Sequence, residues 1–144
     1  MSQASPGPLA GPGQGHVPVL RLGEVLLVTL PGELHDGTAH QLQQDVAASV
    51  ARSGAAGVVI DISGVEIVDS FLGRVLAEIA GQAALLAART VVVGMRPAVA
   101  ITLVELGLTL PGLHTALSTE RAMELLTGRA PVVGGPGGPR PGSA

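Results

Sequence analysis

The sequence predicts an α/β domain in which a mixed central β-sheet, entered through an N-terminal hairpin, carries about four helices packed on it. Three observations point there. Strand-like and helix-like periodicities alternate through the middle of the chain, as in a sheet with helices laid on its faces. Residues 57–62 (GVVIDI) form a short continuous apolar run, the pattern of a strand buried on both faces. With 144 residues, 47% of them hydrophobic, the chain is long enough for one core and apolar enough to fill it.

Residues 1–15 and 130–144 are rich in Pro, Gly and Ser, and cannot bury enough apolar surface to offset the entropy of ordering. They are expected to be disordered tails on a domain spanning 16–129. Neither has the spacing of a phosphate-binding loop. Residues 17–22 and 24–30 read as two strands joined at Gly23 and stopped at Pro31-Gly32. From Asp36 the apolar spacing becomes helical through Leu42, Val46 and Val50, ending at Ser53-Gly54. The central strand at 57–62 follows, then a helix over 69–87, a strand over 90–94, and a short helix that begins at Pro97 and ends before Gly107. Ser118 suits the N-cap of a last helix.

Composition excludes several classes of function. Charged residues make up 13% of the chain against roughly 25% in typical soluble domains, which favours packing against other chains. There is no lysine, and the 8 arginines are scattered, so a basic nucleic-acid-binding patch is not expected. The absence of cysteine removes disulfides, thiolate metal sites and thiol catalysis. No signal peptide is read at the N-terminus, and the apolar stretch 97–113 is interrupted by Glu105 and Pro111-Gly112, too short to span a bilayer. A soluble, cytoplasmic protein is expected.

The second helix holds the most informative residues. Placed at helical intervals, Leu72, Val75, Leu76, Ile79, Ala83 and Leu86 form one core-facing stripe. Ser70 falls nearly opposite, on an outer face with Gly73, Arg74, Ala77, Gly81 and Ala84, where mostly small side chains permit close approach by a partner. At the start of a helix, free N–H groups and the positive end of the dipole tolerate an anion. A phosphate on Ser70 would add about −1.5 to −2 charges beside the already acidic Asp69, and so change which partners this face suits. The competing reading is that Ser70 merely helps Asp69 to cap the helix. Phe71, the single aromatic residue, reads as a core-edge side chain more readily than as a binding anchor.

VEIVDSFLGRVL (residues 65–76) and VVVGMRPAVAITLVELGL (91–108), together with VPVLRLGEVLLV near the N-terminus, resemble the STAS domains of bacterial stressosomes, most nearly the RsbS type. The resemblance runs over about 17–126. It implies the STAS fold and a non-enzymatic scaffold that sequesters an RsbT-type serine/threonine kinase until Ser70 is phosphorylated. It also implies co-assembly with copies of itself and with RsbR-type STAS sensor proteins, and a partner face built from Asp69, Ser70, Phe71, Gly73, Arg74 and Ala77. The runner-up is an anti-sigma-factor antagonist; in those proteins a small residue and glycine typically follow the serine, whereas Phe71-Leu72 follow Ser70.

Catalytic, metal and cofactor roles have little support in the residues. His35-Asp36 is the one adjacent His-Asp pair that could serve Ser70 as base and orienting acid, but there is no G-x-S-x-G elbow and the pair reads as a turn and helix start. His16, His35, His40 and His114 lack the spacing and acidic neighbours of a zinc motif. No catalytic residue, metal or cofactor is expected.

Overall fold

Among the described residues five strands lie side by side in chain order: β1 (Val19–Leu22), β2 (Val25–Thr29), β3 (Gly57–Asp61), β4 (Arg89–Val93) and β5 (Leu113–Ala116). The computed structural model describes residues 16–67, 69–105, 107 and 113–128; the two Pro/Gly-rich segments expected to be tails lie outside the described residues. β1 and β2 form the expected hairpin, antiparallel and turned at Gly23, while β2 through β5 run parallel. Among the described residues four helices connect and flank the strands: α1 (Asp36–Ser53), α2 (Ser70–Leu85), α3 (Pro97–Glu105) and α4 (Thr119–Thr127).

Strand alternation divides the core in two. Leu26, Val28, Val58, Ile60 and Val92 point to one face of the sheet, against Leu42, Val46 and Val50 of α1, Leu76 and Ile79 of α2, and Val99 and Leu103 of α3. Val25, Val59, Val91 and Val93 point to the other face, where Ala122 and Leu126 of α4 cover them. β3 is thus buried on both sides, as its unbroken apolar run predicts. Its first residue lies tightly under α4: a Cβ on Gly57 would lie 2.5 Å from Leu126 Cδ2, so that leucine would have to shift. Thr90 is fully buried in β4, and its hydroxyl has no hydrogen-bond partner among the described residues.

Three expectations need correction. β5 was not anticipated, because its four residues (LHTA) are half or fully exposed at a sheet edge and show no apolar alternation. α2 stops at Leu85 and does not reach residue 87: Leu86 caps it, Ala87 turns left-handed at φ 65°, and the Ala88 N–H donates back to the Ala83 carbonyl at 2.8 Å. Leu86 therefore leaves the core stripe and is 41% exposed. The other members of that stripe are buried.

Candidate functional site: Ser70 and the loop that presents it

Thr29, Asp61 and Val93 stand in register at the C-terminal ends of the parallel strands β2, β3 and β4, and the chain leaves them toward α1, α2 and α3. Two backbone bonds continue the ladder past the strands, Leu30 N–H to the Asp61 carbonyl at 3.0 Å and Ile62 N–H to the Val93 carbonyl at 2.9 Å. The segment between Ile62 and Asp69 is fixed from two directions. On its own strand, Asp61 Oδ1 accepts from the Ser63 N–H at 2.8 Å. From the end of β4, the Arg96 guanidinium donates to the Ser63 carbonyl through Nε at 3.3 Å and Nη2 at 3.1 Å, and its Nη1 lies 4.0 Å from Glu66. Gly94 makes this closeness possible: its φ is +77°, and a Cβ there would lie 2.8 Å from Ser63 Cβ and 3.0 Å from Asp61 Oδ1.

The loop ends at Asp69, whose extended backbone and side chain form the N-cap of α2. Asp69 Oδ1 accepts from the Leu72 N–H at 3.0 Å, and its carbonyl accepts from the Gly73 N–H at 3.1 Å. Ser70 is the first helical residue. It is exposed, and among the described residues its hydroxyl has no hydrogen-bond partner and no link to His35 or Asp36. The capping duty therefore belongs to Asp69.

The surrounding residues fall into place unevenly. Asp69, Ser70 and Arg74 are exposed, Phe71 is half-buried against the core edge, and Ala77 is half-buried. Gly73, expected on the outer face, is buried. It sits one helical step of about 100° from Leu72, on the flank it shares with buried Ala80, so the covered sector of α2 is wider than the apolar stripe alone. Gly81 and Ala84 are exposed, as expected. Beside Ser70 an open groove of about 610 Å³ runs between the 30–34 segment and the 64–72 segment, with Leu34, Ile67 and Phe71 as apolar lining and Glu33, Glu66 and Asp69 as acidic lining. Among the described residues, no three of His, Asp and Glu converge to hold a metal ion, and no helix is long and apolar enough to cross a membrane.

Sequence reasoning missed Asp61, Ser63, Gly94 and Arg96, the residues that hold the loop. The usable signals were an aspartate ending an apolar strand and a glycine directly after another, both at strand ends, where parallel sheets place their functional loops.

Comparison with known proteins agrees with this geometry. Residues 16–122 match the STAS domain family. A serine-to-glutamate variant of RsbS from Moorella thermoacetica superposes with a TM-score of 0.69 at 38% identity, covering 78% of this chain and 95% of that one. A chain from the structure of the stressosome, described as a signal integration and transduction hub, does so with a TM-score of 0.69 at 40% identity, covering 77% and 96%. The RsbT co-antagonist protein RsbRD of Bacillus subtilis (strain 168) is 29% identical over 97 residues, 67% of this chain but 35% of RsbRD, so the chain spans about a third of that relative's length. The chain belongs to the STAS domain family, and within it to the RsbS type of stressosome protein.

Proposed function

We propose that this protein is a cytoplasmic, non-enzymatic scaffold that sequesters an RsbT-type serine/threonine kinase and releases it when Ser70 is phosphorylated. In the unphosphorylated form, Ser70 and Arg74 with the flanking Asp69, Phe71 and Ala77 meet the kinase, while Gly73, buried on the covered flank of α2, takes no direct part. The kinase transfers the γ-phosphoryl group of ATP to Ser70 Oγ; ADP leaves and the hydroxyl proton passes to a base of the kinase. The phosphate then places about −1.5 to −2 charges beside Asp69, where a neutral hydroxyl was matched. Copies of the chain co-assemble with RsbR-type STAS sensor proteins, for which the low surface charge is suited.

The observation that carries this reading is the state of the Ser70 hydroxyl: exposed, unbonded among the described residues, and set at a helix start that another residue caps. Its modification removes no interaction with the described residues, and the helix N-terminus favours the added anion. Intact-mass measurement after incubation with ATP and an RsbT-type kinase tests the assignment. One added phosphate that is lost in Ser70→Ala is expected; phosphate retained in Ser70→Ala, or none added by a kinase active on another RsbS-type protein, contradicts it.

A further inference from the structure

We infer that Arg74 is the internal counter-ion of phosphorylated Ser70, so that one modification both adds charge to the partner face and withdraws the single cation of α2. This rests on the reading of Ser70 as the modified residue and extends it to the mechanism of release. Arg74 and Glu78 are the two charged residues of α2. Residues four apart on a helix lie on the same face with Cβ atoms about 6 Å apart, within reach of an arginine, and an anion N-terminal to a cation is the favoured order. Ser70 and Arg74 have that spacing and order, and both are exposed.

Arg74 is uncommitted in the unphosphorylated chain. It lines a groove of about 230 Å³ between α1 and α2 with Asp36, His40, Gln43 and Glu78, yet it has no ion pair among the described residues. The acid one turn further along its own helix, Glu78, is taken up by Gln43, whose Nε2 donates to Oε1 at 2.9 Å. A guanidinium presents a planar fork of donors that fits two phosphate oxygens at once, and a phosphate on Ser70 would stand about one helical turn from it on the same face. Before phosphorylation the same fork is free to hold a carboxylate of the kinase. Afterwards that carboxylate loses its cation and faces a phosphate.

Phosphoserine incorporated at position 70 during translation provides the test, with the phosphate pKa read by phosphorus-31 NMR titration. The His40→Gln background removes the one histidine lining the groove, while Asp36, Glu78 and the neighbouring Asp69 are common to all variants. Pairing predicts a phosphate pKa about 0.3 pH unit lower with Arg74 than with Arg74→Ala. Arg74→Lys, which keeps the charge but not the planar fork, recovers only part of that difference. Equal pKa values for Arg74 and Arg74→Ala overturn the inference, as does a lower value in Arg74→Ala than with Arg74. No kinase takes part, so this outcome is separate from whether an RsbT-type kinase acts on Ser70.

Discussion

Replacing Asp69 and Ser70 one at a time by alanine separates a helix cap from a switch. Asp69→Ala removes the acceptor of the 3.0 Å bond from the Leu72 N–H and the carboxylate at the positive end of α2. An N-cap truncation costs about 1 kcal/mol, and the lost charge–dipole attraction adds a few tenths at an exposed site, for about 1.5 kcal/mol in all. For a domain of this size that is a fall in Tm of about 5 °C. Ser70→Ala removes a hydroxyl with no partner among the described residues, at an exposed first-turn position where alanine is the better helix former. Its expected effect lies within about 0.5 kcal/mol of zero. Asp69→Asn, which keeps an acceptor oxygen, should recover most of the cap. Urea unfolding followed by circular dichroism measures all three. A loss in Ser70→Ala as large as that in Asp69→Ala would show that the serine hydroxyl serves the fold, and the assignment of Ser70 as a residue free for modification would fail.

Gly94→Ala forces a left-handed backbone on a residue with a Cβ and drives that Cβ into Ser63; a loss of about 2–3 kcal/mol is expected by denaturant titration, and a neutral result would refute the packing described at the loop. Thr90→Val replaces a buried, unpartnered hydroxyl by a methyl of similar size and should raise stability by about 1 kcal/mol; a loss would mean that the hydroxyl is bonded in solution. Arg96→Ala frees the Ser63 carbonyl and should speed amide hydrogen exchange across residues 63–67 while leaving the β3 amides unchanged. Unchanged exchange in that segment would exclude Arg96 as its clamp.

Most of the fold is legible wherever local chemistry and tertiary packing agree. The apolar run of β3, the helical spacing of α1, Gly54 after α1, Pro97 at the start of α3 and Ser118 as the α4 cap each announce their element through a local preference that the structure uses. β5 is illegible because an edge strand held by backbone pairing to β4 needs no apolar pattern of its own. The end of α2 is hidden for a related reason: Ala87 takes a left-handed conformation that glycine usually supplies, so no residue marks the stop. At the site, Ser70 and its outward direction follow from helical periodicity, but the division of labour with Asp69 does not, since both residues are competent caps. The Arg96 clamp joins residues 33 apart in sequence, a contact that no periodicity encodes. The burial of Gly73 likewise depends on how deeply α2 beds against its neighbours.

The central claim is that phosphate on Ser70 sets the affinity for the kinase, and the dissociation constants of an RsbT-type kinase for the unphosphorylated and the Ser70-phosphorylated protein test it most directly. Phosphorylation should weaken binding at least tenfold, about 1.4 kcal/mol. Ser70→Ala should bind as the unphosphorylated protein does, and Ser70→Asp should fall between, having less charge and fewer acceptor oxygens than phosphate. Equal dissociation constants for the phosphorylated and unphosphorylated forms would contradict the account.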